Sequence, residues 1–251
     1  MPQTASNSSS FPPIESALSD PNGLLAVGGE LTRERLFNAY DSGIFPWFDD
    51  DQPLLWWSPD PRAVIYPGDV HISRSLKRTM RRRNYSLRVD SDFEQVITAC
   101  AEQRGDEVGT WITAEMQSAY IDLHRAGKAH SFEVWDRQTL VGGLYGVAAG
   151  KVFSGESMFH RQTDASKIAF VFTCMQLKQW GFGLLDCQIE NPHLSSLGVT
   201  TMDRKQFKRW LPKYNEQSKQ QDLPSQAQRG NRITSCNTDF RNTQELLEKL
   251  L

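Results

Sequence analysis

Two polar side chains interrupt an apolar stretch late in the chain. In GLLDCQIE, residues 183–190, alternation places Asp186 and Gln188 on one face of a strand and Leu185 and Cys187 on the other. Positions two apart on a strand lie roughly 6.5–7 Å apart at Cα, so a carboxylate and an amide can contact one small reacting group. An unpaired carboxylate in an apolar setting is costly. A salt bridge from Asp186 to a structural Arg or Lys is therefore the alternative interpretation.

A second carboxylate raises the same question. Glu156 stands between apolar neighbours in FSGESMF, residues 153–159, and its charge also needs a partner. Two such carboxylates, an amide and nearby aromatic residues predict a pocket for a molecule that has both a cationic and an apolar part.

Aromatic residues crowd the segment GIFPWFDDDQPLLWWSP, residues 43–59. Prolines in this segment favour extended or turned backbone over a regular helix. Aromatic side chains in an irregular segment either fill a core or line a pocket, and the pattern alone leaves both open. The residues concerned are Phe45, Trp47, Phe48, Trp56 and Trp57.

A dense run of cations forms the third chemical feature. Seven Lys and Arg residues and no acid fall between Val70 and Val89. On a helix, the i, i+3, i+4, i+7 spacing displays most of them together and leaves Leu76 and Met80 on the opposite face. Like charges at this spacing destabilise a helix, which favours a polyanion ligand over a plain solvated surface. The predicted phosphate-contacting residues are Arg74, Lys77, Arg78, Arg81, Arg82 and Arg83.

The elements that position these groups indicate an α+β fold. Helical spacing and caps predict helices that begin after Thr32, Ser73, Thr113 and Asp164, and another near residues 204–211. Between residues 130 and 159 the apolar period changes to two and predicts three strands with two turns. The sheet should therefore be covered by helices, with a smaller N-terminal domain packed against it.

The bulk composition narrows the function classes. The chain has 251 residues with 39% hydrophobic and 23% charged residues, which is typical of a water-soluble globular protein. The four cysteines form no CxxC pair and the five histidines no HxxxH or HExxH pattern, so neither a metal site nor a cofactor is expected. The first residues lack the basic and apolar regions of a secretory signal, which predicts a cytoplasmic protein.

Several blocks of sequence together resemble the leucyl/phenylalanyl-tRNA–protein transferase family. Their order and approximate spacing match from about Phe11 to Leu211. The blocks are FPWF, LLWWSPDPRAV, HISRSLKR, GTWIT, HSFEVW, LVGGLYGVAAGKVFSGESMF, DASK, LLDCQ and HLSSLG. The resemblance implies a cytoplasmic enzyme that moves Leu or Phe, with Met left open, from aminoacyl-tRNA to the N-terminal Arg or Lys of a protein and so marks it for degradation in the N-degron pathway. It also implies a small N-terminal domain followed by an acetyltransferase-like (GNAT-type) domain.

The resemblance also assigns roles to residues. Trp47 and Trp111 would flank the aminoacyl-adenosine end of the tRNA, and the basic helix would contact its acceptor stem. The Leu or Phe side chain would enter an apolar cavity formed by Leu144, Phe153, Met158, Phe172 and Leu185. No metal, nucleotide or coenzyme A is implied.

The catalytic hypothesis rests on the three polar residues. Asp186 would accept a hydrogen bond from the incoming amine, directly or through Gln188, and Gln188 would orient the amine and the ester. Glu156 would recognise positive charge on the acceptor or fix the ribose end. Two alternatives use the same tRNA features: a Fem-type peptidyltransferase, and a tRNA-binding protein that is not an enzyme.

The sequence predicts four parts of the chain. Composition indicates a disordered N-terminus, a small domain, an aminoacyltransferase domain and a polar tail. Their bounds are 1–13, 14–65, 66–214 and 215–251.

Overall fold

A computed structural model gives the structure of most of the chain. It describes residues 3–4, 10–49, 52–108, 112–215 and 240–250, with backbone alone at 3–4 and 103–108. Trp111 and Cys236 lie outside the described residues.

The N-terminal part contains a small four-stranded sheet. Its strands are β1 (Gln3–Thr4), β2 (Leu24–Val27), β3 (Phe45–Pro46) and β4 (Leu55–Trp57), in the order β1-β2-β4-β3. Helix α1 (Arg33–Asp41) follows β2, and the hydroxyl of its predicted cap Thr32 accepts the Arg35 amide at 3.2 Å. The short strands of the aromatic segment were not predicted.

A mixed seven-stranded sheet forms the centre of the molecule. Its strands are β5 (Arg62–Ile65), β6 (Ser86–Val89), β7 (Ala129–Asp136), β8 (Thr139–Ala149), β9 (Val152–His160), β10 (Leu184–Gln188) and β11 (Thr200–Met202). The order is β11-β5-β10-β9-β8-β7-β6, and β9 and β10 run parallel while the other neighbours are antiparallel. The predicted meander of three strands is confirmed as β7, β8 and β9.

Helices cover both faces of this sheet. They are α2 (Arg74–Arg83), α3 (Phe93–Val108), α4 (Ala114–Arg125), α5 (Ala165–Gln179), α6 (Pro192–Ser195), α7 (Arg204–Lys208) and α8 (Thr243–Glu248). Short 3₁₀ helices occupy Ile14–Ser16, Pro67–Asp69 and Pro212–Tyr214. The predicted caps Ser73 and Thr113 accept the amides of Leu76 and Met116, each at 3.2 Å.

Two apolar cores lie on opposite faces of the sheet. One unites α1, α3 and α4 with buried aromatics of the N-terminal part, including Phe45 and Trp56. The other packs α2, α5 and α8 against the opposite face, with Phe132 and Phe172 at its centre. The alternation of β10 sends Leu184 into the first core and Leu185 into the second, so this strand presents side chains to both.

The predicted division of the chain differs from the structure in three places. Within residues 1–13, predicted to be disordered, Gln3–Thr4 pair with β2 and Phe11 is buried against Trp56. Residues 62–65, assigned to the small domain from sequence, form β5 of the larger sheet. Their partners β10 and β11 follow more than 100 residues later, so no local signal shows the pairing. Residues 240–250, assigned to a polar tail, pack on the body through Phe240, Leu246 and Leu247.

The parallel pair β9 and β10 separates at one end. Their pairing ends where Asp186 meets Ser154. Beyond that point β9 pairs with β8 alone, and Gln188 pairs across to Ala63 of β5 after a register shift. Between the separating strands the sheet opens a gap, and the candidate site lies there.

Candidate active site

Asp186 forms a buried ion pair at the base of the site. Both its carboxylate oxygens accept hydrogen bonds at 2.8 Å from the guanidinium of Arg62, which is 1% exposed. The guanidinium is stacked between the rings of Phe45 and Phe207, and its Cζ atom lies 4.8 Å from the centroid of each ring. This is the structural salt bridge that the sequence left as the alternative interpretation of Asp186.

The remaining contacts of Asp186 fix the end of β10. The Ser154 hydroxyl donates to one oxygen at 2.9 Å, and the Gln188 backbone amide donates to the other at 2.9 Å. Asp186 is completely buried and does not line the pocket described below. Alternation points Asp186 away from the face that carries Leu185, so its described link to the pocket runs through the Gln188 backbone, and direct contact with the incoming amine stays a prediction.

Gln188 and Glu156 meet where the strands separate. The Gln188 side-chain amide donates to Glu156 Oε1 at 2.6 Å, so the two predicted site residues are neighbours. Gln188 has a left-handed backbone with φ of 64°, which is uncommon for a residue other than glycine. This conformation breaks the regular alternation and directs Gln188 into the gap.

Two tyrosines extend the polar network behind Glu156. The Tyr120 hydroxyl donates to Glu156 Oε2 at 2.9 Å, and the Tyr40 hydroxyl contacts that of Tyr120. Burial raises the pKa of Glu156 to about 7, while the tyrosine and Gln188 hydrogen bonds act in the opposite direction. Burial also raises the pKa of both tyrosines well above the ordinary value, so both stay protonated at neutral pH.

A pocket of about 320 Å³ opens in front of Gln188 and Glu156. Its apolar wall contains Leu144, Met158, Phe170, Leu185 and Leu194. Phe45, Pro46 and Trp47 line it from the N-terminal part, and Ile189, Glu190 and Asn191 line it beyond Gln188. The pocket thus joins an apolar wall to a polar end, as the sequence predicted in outline.

Two predicted cavity residues lie elsewhere. Phe153 is completely buried with its ring over Gly146 and edge-on to Phe132 at 5.4 Å. Phe172 is also buried and packs edge-on against Phe132 and Phe240. Their rings point into the core and neither lines the described pocket, so their contact with the Leu or Phe side chain stays a prediction.

The aromatic segment divides between core and pocket. Phe45 is buried yet also borders the pocket, and Trp56 is completely buried. Trp47 is 43% exposed at the pocket, where its carbonyl accepts the indole N–H of Trp57 at 2.7 Å. Some of these aromatic residues therefore fill the core and others line the pocket.

The basic helix displays its charges as predicted. Leu76 and Met80 are buried against the body, and Arg74, Arg78 and Arg81 are exposed. Of the ion pairs formed by residues that the structure describes, none includes a cation of α2. The helix is tied to the start of α5 by the Thr79 hydroxyl, which donates to Asp164 at 2.9 Å.

Sequence reasoning missed several residues of the site. Ser154, Tyr40 and Tyr120 have no local pattern that marks them. Arg62 alone of the four has such a signal, because it is a cation that directly precedes an apolar triplet in PRAVI. Within the described ranges, no group of three or more His, Cys, Asp or Glu side chains could hold a metal ion. No helix in these ranges is long and apolar enough to cross a membrane.

Comparison with known proteins identifies the family. The model for leucyl/phenylalanyl-tRNA protein transferase matches residues 64–212, and the model for its N-terminal domain matches residues 29–60. The chain belongs to this family. The matched ranges contain the predicted site residues, from Trp47 to Gln188.

Curated members of the family are similar over most of their length. A leucyl/phenylalanyl-tRNA–protein transferase of Methylococcus capsulatus is 55% identical over 83% of this chain and 88% of its own. The relative of the same name in Shewanella halifaxensis is 56% identical over 80% of this chain and 85% of its own. The solved structure of L-PGS from Bacillus licheniformis has a TM-score of 0.40 and 13% identity over 74% of this chain and 63% of that chain.

Proposed function

We propose that this protein transfers Leu or Phe from aminoacyl-tRNA to the N-terminal Arg or Lys of acceptor proteins. The observation that carries the proposal is the pocket between β9 and β10, where an apolar wall meets the Gln188–Glu156 pair in a chain of this family. The product is a new peptide bond, which extends the acceptor by one bulky residue and creates a degradation signal. Such an enzyme works in the cytoplasm, where charged tRNA is available.

The reaction needs little acid–base catalysis. The acceptor amine attacks the ester carbonyl carbon, the bond to the terminal ribose oxygen breaks, and one proton passes from nitrogen to that oxygen. An α-amine titrates at about 7.7–8.0, so a neutral fraction exists at physiological pH. Holding the amine against an activated ester can supply most of the rate enhancement.

Gln188 is the residue best placed to orient the amine. Its amide nitrogen is held by Glu156 at 2.6 Å, which leaves the amide oxygen to accept a hydrogen bond from the amine. Asp186 acts through Gln188, because its carboxylate holds the Gln188 backbone amide at 2.9 Å and does not reach the pocket. Asp186 is thus a positioning residue, and Arg62 neutralises its charge.

The donor occupies the rest of the pocket. The Leu or Phe side chain lies against the apolar wall, which rejects polar amino acids through the cost of their desolvation. Trp47 at the pocket edge stacks on the terminal adenine, an interaction worth about 1–3 kcal/mol. Trp111, outside the described residues, is assigned to the same base by family resemblance.

The basic helix α2 contacts the phosphate backbone of the tRNA. Its exposed cations lack described acidic partners and supply contacts to phosphates without sequence reading. We assign the larger domain to the acetyltransferase-like (GNAT-type) class, supported by a parallel strand pair that separates around the reaction site.

A transfer assay tests the function. Purified protein is incubated with radiolabelled Leu-, Phe- or Val-tRNA and an acceptor protein that begins with Arg, and label in protein is counted after base hydrolysis of the ester. We expect label from Leu and Phe but not Val, and none on an acceptor that begins with Ala. Binding of tRNA without transfer would favour a non-enzymatic RNA-binding protein, and transfer to a peptidoglycan precursor would favour a Fem-type enzyme.

Two variants test the assignment of roles. Gln188→Ala should lower kcat about 10²-fold, because the amine loses its orienting contact. Asp186→Asn keeps the size of the side chain but leaves the Arg62 guanidinium buried without a counter-charge, so a loss of stability of about 3–5 kcal/mol is expected, and urea unfolding separates it from the loss of turnover. Wild-type turnover in Gln188→Ala would remove Gln188 from the mechanism.

A further inference from the structure

The pocket has one carboxylate that the transfer mechanism does not use. Of the residues that line it, Glu156 and Glu190 are acidic. Glu190 follows Gln188 by two positions and is exposed. Its Oε1 accepts a single weak hydrogen bond at 3.1 Å from the Ser195 hydroxyl, and no ion pair of the described chain includes it.

Glu156 is poorly suited to recognise a cationic side chain. Oε1 receives the Gln188 amide at 2.6 Å and Oε2 receives the Tyr120 hydroxyl at 2.9 Å. Only 7% of Glu156 is exposed, so an Arg or Lys head group would have to displace these donors in the interior. A charge that enters such a setting pays a large desolvation cost.

Glu190, in contrast to Glu156, lies at the exposed edge of the pocket. The chain turns after Gln188, where the Ile189 amide donates to the Cys187 carbonyl at 2.7 Å, and Ile189 and Glu190 come to the pocket edge. Ile189 is 46% exposed beside the carboxylate. An Arg or Lys side chain has an apolar stem and a cationic head, so an exposed Ile next to an exposed Glu matches both parts.

We infer that Glu190 selects the acceptor protein: it binds the guanidinium or ammonium of the acceptor's first residue, while the stem lies over Ile189 and the α-amine meets Gln188. The inference rests on the transfer activity proposed above. Glu190 and Gln188 lie within about 7 Å at Cα, which is the order of the separation between the amine and the charge of one Arg or Lys residue.

The experiment compares acceptors that differ in their first residue alone. Kinetics with Leu-tRNA are measured for acceptors that begin with Arg, Lys, Ala or Asp. The enzymes are wild type, Glu190→Gln, Glu190→Lys and the control Glu34→Gln. Glu34 is an exposed residue of α1, with 79% of its side chain accessible, and it does not line the pocket.

We expect Glu190→Gln to raise KM for the Arg and Lys acceptors about fivefold, which is the scale of a partly exposed ion pair. The KM for Leu-tRNA and the kcat should stay at wild-type values. Glu190→Lys should improve the Asp acceptor relative to the Arg acceptor, a change that general loss of structure does not produce. The control should match wild type.

Two results would overturn the inference alone. One is an unchanged KM for the Arg and Lys acceptors in Glu190→Gln, and the other is a loss of kcat in that variant with no rise in the KM for these acceptors. Equal transfer by wild type to all four acceptors would contradict both the inference and the Arg and Lys selectivity of the proposed function, while leaving aminoacyl transfer intact. Absence of transfer by wild type to any acceptor would instead overturn the proposed function, and the inference with it.

Discussion

Glu156 links the candidate site to the pH dependence of folding. Its pKa is about 7 in the folded protein against an ordinary value of 4.5, chiefly because the carboxyl is buried. Between these values the unfolded chain has lost the proton and the folded chain retains it. Raising the pH through this window therefore favours the unfolded state.

We expect this single group to lower the free energy of unfolding by roughly 3 kcal/mol between pH 4.5 and 8. Glu156→Gln removes the titration, so its stability should fall less over the same range. Urea unfolding at several pH values from 4.5 to 8 measures the difference in slope, with Glu34→Gln as the control. Parallel pH profiles for wild type and Glu156→Gln would contradict the assignment of the raised pKa.

Residue identities in the pocket could be predicted only in part. Of the residues predicted for the cavity, Leu144, Met158 and Leu185 line the pocket, whereas the phenylalanine of α5 that lines it is Phe170 and not Phe172. Two positions on a helix correspond to a rotation of about 200°, which exchanges opposite faces. Helix α5 is buried along nearly its whole length and lacks a polar face, so the sequence carries no signal for its rotation.

At the scale of elements, the residues of α2 that stabilise the fold differ from those proposed to bind tRNA. Its buried side, Leu76 and Met80, packs on the body, while its exposed cations face solvent. Replacing exposed cations should therefore change binding to tRNA without changing the fold. This separation allows a direct test of the electrostatic role of the helix.

The double variant Arg78→Gln with Arg81→Gln should weaken tRNA binding and flatten its salt dependence. Each phosphate contact that is lost reduces the slope of log K against log salt by about 0.7–0.9. Filter binding from low to moderate salt measures both quantities, with Arg33→Gln and Arg125→Gln as a control pair of exposed cations on α1 and α4. An unchanged slope would show that α2 does not contact the phosphates.

The elements themselves were predictable where their signals are local. Thr32, Ser73 and Thr113 accept the amides expected of helix caps because capping involves residues only three positions apart. Strand β6 was missed because its four residues carry few apolar positions, and its pairing with β7 gives it its place in the sheet. Pairing between distant strands leaves no such local trace.

At the scale of the whole molecule, contacts distant in sequence hold the site together. Arg62 and Asp186 are 124 positions apart, and the Tyr40–Tyr120 contact spans 80 positions. The first pair joins β5 to β10, the strand that carries Gln188, and the second joins α1 of the N-terminal part to α4, whose Tyr120 donates to Glu156 of β9. Neither pair follows from composition or periodicity, since an ion pair or hydrogen bond at such separation depends on the complete fold.

The C-terminal segment, residues 240–250, is also held to the rest of the molecule by contacts that are distant in sequence. It lies beyond residue 212, where the match to the family model ends. The Thr243 amide donates to the Tyr85 carbonyl and its hydroxyl to the Met80 carbonyl, both at 3.0 Å, which anchors the segment at the end of α2. Phe240 is completely buried and packs edge-on against Phe172 at 6.4 Å.

Phe240→Ala should therefore destabilise the protein by about 3–5 kcal/mol, the usual cost of removing a buried ring. Leu250→Ala is the matched control, because Leu250 borders the same core but is only partly buried, so a smaller loss is expected. Urea unfolding of the full chain measures both variants. If Phe240→Ala were as stable as wild type, the segment would contribute nothing to the core of the folded protein, and the packing of Phe240 against Phe172 would be contradicted.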